Sequence, residues 1–230
     1  MADRIVQTAA HQVLTPLLDA GMSPASYGFR PNRSLADALD RVQELRRSGL
    51  TWVVDGDIER CFERIRHDRL LERLQESVAD RRLVRLVAAW RAAWGEGERG
   101  LPQGAPLSPL LSNLALDPLD RGLAKGSGRL VRFADDFVIL CRSRAEAETA
   151  RRRAAELLNR QGLRMHPQKS RVCSFTDGFA FLGHYFIHDL MLRDAARDAC
   201  EDVKRRAEVK DARARRGLLG RWLPRHARAG

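Results

Sequence analysis

The tightest constraint in this 230-residue sequence is the stretch Arg132-Phe133-Ala134-Asp135-Asp136-Phe137-Val138-Ile139-Leu140. Two apolar runs, 130–134 and 137–141, meet at adjacent carboxylates with no other polar residue between them, which predicts a β-hairpin carrying Asp135 and Asp136 at its tip. Neighbouring carboxylates resist joint ionisation unless a cation sits between them, and hard oxygen ligands of this kind suit Mg2+ rather than zinc. A solvated Asp-Asp turn has the same local sequence, so the rest of the chain must decide.

A second acidic pair lies upstream. Thr51-Trp52-Val53-Val54 reads as a buried strand ending in Asp55-Gly56-Asp57-Ile58, followed by Glu59-Arg60-Cys61-Phe62. Sites are built at the ends of strands, and a carboxylate there beside another acidic tip can complete a metal cluster. A plain Asp-Gly-Asp turn is the alternative.

Before and between these pairs the chain is mostly helical. Ile5, Thr8/Ala9, Gln12/Val13 and Leu17 give an apolar stripe, with Pro16 marking a kink or an early stop. The loop Ser26-Tyr27-Gly28-Phe29-Arg30-Pro31-Asn32-Arg33 follows, where Arg30 and Arg33 are candidates to grip phosphates. Ser34 and Asp37 form a capping box opening a helix with the face Leu35, Ala38/Leu39, Val42 and Leu45. A helix from His67-Asp68 carries Leu70/Leu71, Leu74 and Val78, and the next carries Leu83, Leu86/Val87, Trp90 and Trp94 as core. His67 reads as structural. Leu101-Pro102-Gln103-Gly104 then presents one amide side chain from a fixed backbone, ahead of a helix capped by Ser108.

After the acidic hairpin, Ser143 and Glu146 predict a second capping box, and Gly162 stops that helix. Arg171–Phe175 and Phe179–Phe186 flank Thr176-Asp177-Gly178 and read as a second hairpin. Gly183, in mid-strand on that reading, suggests close approach to the backbone. From Arg193 the charges alternate at helical spacing and the terminus is Arg-rich, with Lys204, Trp222 and Pro224 in a basic helical tail.

Composition narrows the partner. Forty-one Lys+Arg against 30 Asp+Glu give a formal charge of +11, and a pI near 10.6 favours a polyanion such as nucleic acid. Cys61, Cys141, Cys173 and Cys200 show no metal-ligand or disulfide spacing and suit buried thiols in a reducing compartment. No apolar run approaches a membrane span, so the expectation is a soluble, cytoplasmic protein with no membrane partner.

Five segments, in this order, resemble the reverse transcriptases of the group II intron lineage: Tyr27-Gly28-Phe29-Arg30-Pro31 to Ser34, Asp55-Gly56-Asp57-Ile58 to Phe62, Leu101-Pro102-Gln103-Gly104 to Asn113, Phe133-Ala134-Asp135-Asp136, and Gly178-Phe179 to Phe186. The last of these is most similar to the CRISPR-associated branch. The resemblance implies an α+β, right-hand polymerase fingers/palm fold, an antiparallel palm sheet backed by helices. It divides the chain into partial fingers (1–50), a palm (51–187, finger helices inserted at about 67–100) and a basic C-terminal helical tail (188–230). The family's basic finger hairpin would precede Asp3, and no thumb is recognisable, so protein partners or a second subunit are part of the expectation.

The resemblance also assigns roles. Asp57, rather than Asp55, would join Asp135 and Asp136 as catalytic residues and ligands of two Mg2+ ions, with Mn2+ as a substitute. Ile58, Phe62, Gln103, Gly104, Lys169 and Arg30 would line the nucleotide site, with Phe62 as a steric gate at the sugar 2′ position. Phe181, Leu182, Gly183, His184 and Tyr185 would form the primer grip. The implied activity is RNA-directed DNA polymerisation, adding dNTPs to the 3′-hydroxyl of a DNA or RNA primer on an RNA template. The alternative is a catalytically impaired module that binds RNA or DNA or assembles with a partner protein. A palm-fold nucleotide cyclase would also use metal-bound carboxylates, but the Gly-Gly-acidic turn expected there is absent.

Overall fold

The computed structural model describes residues 2–90 and 97–193. Trp94, Cys200 and the Arg-rich tail lie outside them. Helices α1 (Ala2–Asp19) and α2 (Leu35–Arg47) precede strand β1 (Trp52–Asp57), and the short α3 (Cys61–Arg64), α4 (His67–Ser77) and α5 (Arg81–Ala89) follow it. Helix α6 (Ser108–Ala124) leads to the hairpin β2 (Arg129–Phe133) and β3 (Asp136–Cys141), then α7 (Arg144–Arg160). Strands β4 (Arg171–Ser174), β5 (Phe179–Phe181), β6 (His184–Ile187) and β7 (Leu190–Arg193) follow.

The apolar runs of the sequence lack alternation because the main sheet is covered on both faces. Its order is β2-β3-β1-β4, every pairing antiparallel. Val54, Phe137, Ile139 and Leu130 point to a core shared with α4, α6 and α7, whereas Val53, Val138, Leu140 and Val131 point to one shared with α2 and the β5–β6 hairpin. This is the antiparallel sheet backed by helices that the sequence predicts. Burying each Val, Leu or Ile contributes about 1.5–3 kcal/mol, so the two cores fix the sheet from both sides.

The helix signals act as expected at α2, where Ser34 accepts from the Asp37 amide and the Asp37 carboxylate accepts from Ser34 N–H. Ser143 likewise caps α7, although the Glu146 carboxylate takes the Arg142 amide rather than that of Ser143. Helix α1 differs in phase. Its buried residues are Ala10, Leu14 and Leu18, while Ile5, Val6, Val13 and Leu17 are exposed. The helix is apolar on two sides, and its register against α6 selects the second stripe. Pro16 neither ends nor breaks it before Asp19. Ser108 is the first residue of α6 rather than its cap, and its hydroxyl donates to the Pro102 carbonyl at 2.7 Å.

Two further expectations are corrected. Strand β4 pairs with β1, not with β5, so Arg171–Phe175 and Phe179–Phe186 are not one hairpin. The turn at Ser174–Gly178, closed by the Asp177 carboxylate on Ser174, instead carries the chain into a separate sheet β5-β6-β7. Aromatic packing joins the two layers: Phe179 stacks on Phe186 at 5.1 Å and meets Phe175 edge-on at 5.1 Å. Gly183 lies in the two-residue turn Leu182-Gly183, both with positive φ (51° and 70°), and a Cβ added there would meet nothing within 4 Å. Leu190–Arg193 is a strand, so the segment from 188 begins as sheet rather than as a helical tail.

Candidate active site

On β1, residues 53, 55 and 57 share one face, and on β3 residues 136, 138 and 140 share the same one, because strand side chains alternate. Toward the open end of the sheet this face changes from Val53, Val138 and Leu140 to Asp55, Asp57 and Asp136. The β1–β3 register places Asp57 directly opposite Asp136. Asp135 sits in the turn itself, where its carbonyl accepts from Ile58 N–H at 3.3 Å. The side chain of Ile58 is buried and anchors the β1 end of this arrangement. Folding therefore brings three carboxylates separated by nearly 80 positions to one sheet end.

Burial and charge meet at Asp136. Burial pushes the Asp136 carboxyl up to about 7, helped by the charges of Asp55, Asp57 and Asp135, while a hydrogen bond from the Leu182 amide opposes the rise. Asp55, which the resemblance passes over for Asp57, is thus part of the acidic cluster. Burial raises its own pKa, and Arg171, at 3.4 Å, opposes that. Lys169 reaches Asp57 with its ammonium at 2.8 Å, and this contact raises the lysine's pKa. The Asp57 backbone is fixed from the other side, its carbonyl accepting from His166 N–H at 2.8 Å.

The Asp-Gly-Asp spacing has a packing cause. Gly56 faces the opposite side of β1, where a Cβ would sit 2.4 Å from the fully buried Phe137 ring. The segment is continuous strand rather than a turn.

The remaining predicted residues divide into those at the cluster and those elsewhere. Leu182, at the tip of the β5–β6 turn, lies against the cluster through its amide on Asp136. Phe181 is buried, His184 approaches the Leu182 carbonyl with Nδ1 at 3.0 Å, and the Tyr185 hydroxyl meets the Asp177 carbonyl at 3.5 Å. Phe62 packs on the core from α3, four residues beyond Ile58, and its carbonyl accepts from Leu101 N–H at 2.8 Å. That bond hooks the Pro102-Gln103-Gly104 turn onto α3, with Gln103 and Gly104 exposed and the Gly104 carbonyl taken by Arg4 at 2.9 Å. Arg30 is engaged within its own loop and the end of α1. Its guanidinium is spent on Asp19 and on the Ser23 and Ser26 carbonyls at 2.6–3.0 Å, so it braces its own loop instead of presenting itself to a phosphate. His67 is buried, with its Nε2 2.6 Å from the Gly100 carbonyl.

Sequence reasoning missed a buried polar group behind the turn: Arg132 on β2, Asp120 and Asn113 on α6, and Ser26. Its only trace in the sequence is a charge inside the apolar run Leu130-Val131-Arg132-Phe133 and another on the apolar face of α6.

Among the described residues, no three His, Cys, Asp or Glu side chains are drawn in closely enough to grip an ion as they stand. The donor chemistry fits a hard divalent cation nonetheless. Its donors are all carboxylate oxygens, and the burial of Asp136 among like charges, which raises its pKa, is what such a cation offsets.

Comparison with known proteins bears on family and fold. The family profile "Reverse transcriptase (RNA-dependent DNA polymerase)" matches residues 1–186. Protein YkfC of Escherichia coli is 29% identical over 81% of this chain and 61% of its own length. The group II intron-encoded protein LtrA of Lactococcus lactis is 32% identical over 52% of the chain and 21% of its own length. The chain thus spans less than two thirds of each of these relatives. Among solved structures, telomerase of Candida albicans superposes with a TM-score of 0.65 at 15% identity, covering 80% of this chain and 37% of that one, which speaks to fold alone. From the match over 186 residues and the shared fingers/palm fold, the chain belongs to the reverse transcriptase family.

Proposed function

We propose that this chain is the fingers/palm portion of an RNA-directed DNA polymerase that extends a primer 3′-hydroxyl with dNTPs on an RNA template. The observation that carries the reading is the register pairing of Asp57 with Asp136, with Asp135 beside them and the Asp136 carboxyl pushed up to about 7 by burial and, after it, by its acidic neighbours. Asp57, Asp135 and Asp136 would hold the divalent ions, Mg2+ or Mn2+. Bound there, such ions acidify the primer hydroxyl and neutralise charge on the transferring phosphoryl group.

The protein's own residues then do the positioning. Lys169, whose ammonium lies 2.8 Å from an Asp57 oxygen, would contact the triphosphate. Ile58 orients the β1 end, Gln103 and Gly104 offer an amide and exposed main chain to the nucleotide, and the Phe181–Tyr185 hairpin aligns the primer through its tip at Asp136. Phe62 excludes a 2′-hydroxyl by occupying its space. Phe62→Ala is accordingly expected to lower discrimination against ribonucleotides by roughly tenfold, read as the ratio of kcat/KM for dNTP and NTP.

Primer extension on an RNA template with Mg2+ and dNTPs, using the full protein and an Asp135→Asn control, tests the reading. Incorporation that depends on Asp135 supports it. Incorporation that survives in the control, or RNA binding without any incorporation in the full protein, overturns it, the second outcome favouring a binding module.

A further inference from the structure

The guanidinium of Arg132 is fully buried, and every one of its five N–H groups has an acceptor. Nε and Nη2 hold the two Asp120 oxygens at 2.7 and 2.6 Å, a bidentate pair. Nη1 donates to Asn113 Oδ1 at 3.0 Å and to the Ala134 carbonyl at 2.7 Å, and Nη2 also donates to Ser26 Oγ at 2.9 Å. Asn113 in turn donates to the Gly28 carbonyl at 2.8 Å. Burial works against the Arg132 charge, but the Asp120 carboxylate more than offsets it and the guanidinium stays protonated.

An ion pair this deep is a weak source of stability, because desolvation of both charges consumes most of the Coulombic gain. What it does supply is direction. Ala134, the residue immediately before the two carboxylates, is held in the left-handed region at φ 56°, a conformation that costs a side chain about 1 kcal/mol. The carbonyl of that same residue is the one backbone group that Arg132 grips. Peptide planarity passes the orientation of the Ala134 carbonyl on to Asp135.

We propose that Arg132 is a positioning residue for the catalytic turn: charge-paired to Asp120 on α6, it fixes Ala134 and so sets where Asp135 and Asp136 direct their carboxylates. This rests on the polymerase reading above. Lysine cannot replace it, since three donors on a flexible stem cannot reproduce a five-donor planar fork.

The test uses the full protein and Mn2+ as the probe, with free Mn2+ followed by electron paramagnetic resonance well below the unfolding temperature. Wild-type binding that is lost in Asp135→Asn establishes the site. Arg132→Lys, folded by circular dichroism, is expected to bind Mn2+ at least about tenfold more weakly, in the range for residues that orient metal ligands. Binding of a labelled RNA/DNA duplex should stay within about twofold. A folded Arg132→Lys with wild-type Mn2+ affinity would make the residue merely structural and overturn the inference. Should Arg132→Lys not fold, Asn113→Ala decides on the same measurement: weakened Mn2+ binding supports the inference and unchanged affinity overturns it. Wild-type protein with no Asp135-dependent Mn2+ binding sinks the polymerase reading itself, and the inference with it.

Discussion

Asp136→Asn is expected to lower primer extension by at least about 10²–10³-fold while making the metal-free protein more stable at alkaline pH. The two effects share one cause. In the fold, the Asp136 carboxyl is pushed up to about 7 by burial and by Asp55, Asp57 and Asp135, well above an ordinary aspartate. Its neutral form is therefore favoured by folding. That contribution is fully present below about pH 4 and is lost as pH rises through about 7, where the folded protein must carry the charge. Above pH 7.5, in chelator, the ionised carboxylate costs about 2 kcal/mol once solvent screening at this partly exposed group is allowed for. Asparagine keeps the acceptor for the Leu182 amide and removes the charge. The variant should melt roughly 5 °C higher than wild type at pH 8 without metal and about 2 °C higher at pH 5, where the unfolded aspartate has already ionised. Mg2+ should raise the melting temperature of wild type and leave that of the variant almost unmoved. Retained polymerisation in Asp136→Asn, or a wild-type melting temperature that does not fall between pH 5 and pH 8 relative to the variant, would contradict this account. The stability lost here for function is of the kind expected where like charges converge on a site.

The acidic tip was legible because it breaks the rule that governs its surroundings. Two adjacent carboxylates between runs such as Phe137-Val138-Ile139-Leu140 fit either a solvated turn or a metal site, and the second pair at Asp55 and Asp57, at the end of another apolar run, favours the site. Capping at Ser34 and Ser143 was legible for a local reason: each needs only its own first turn. Long-range pairing was not. Whether Arg171–Ser174 joins β5 or β1 depends on a sheet edge more than a hundred residues away, and the Thr176-Asp177-Gly178 turn signal is the same in both cases. The phase of α1 failed similarly, since Leu14 and Leu18 form as good a stripe as Val13 and Leu17, and only packing chooses. Arg30 looked available because a loop arginine beside proline usually is, while its true acceptors, Asp19 and the Ser23 carbonyl, lie in the preceding helix and turn. Arg132 was hidden by the opposite effect. A single arginine in an apolar run reads as an edge-strand charge, and only the position of Asp120 and Asn113 on α6 shows that it is enclosed.

Gly28→Ala is expected to cut primer extension by about 10²-fold although residue 28 bears no functional group. The Tyr27-Gly28-Phe29 segment lies along the strand that leads into the Ala134-Asp135 turn, joined to it by the Tyr27 amide on the Arg132 carbonyl at 2.8 Å and by the Ser26–Arg132 bridge. A Cβ on residue 28 would stand 2.6 Å from the Ala134 nitrogen and 3.1 and 3.2 Å from two atoms of Phe133. The first of these is backbone, which cannot rotate aside as a side-chain tip would, so either the loop lifts away or Ala134 shifts. Lifting the loop strains the Asn113 bond to the Gly28 carbonyl, and shifting Ala134 moves the residue that aims Asp135. Overpacking of this kind costs about 1–3 kcal/mol of stability. A displacement of about 1 Å at reacting groups costs about 100-fold in rate, so activity should fall much further than the folded fraction. Gly21→Ala supplies the control: the nearest atom to its added Cβ is 3.7 Å away, and both melting temperature and extension should match wild type. Parallel measurement of melting temperature and single-turnover incorporation separates the two effects. Gly28→Ala with wild-type incorporation would show that the loop and the turn are not mechanically joined, and the role assigned to the whole Ser26–Arg132 contact would fall with it.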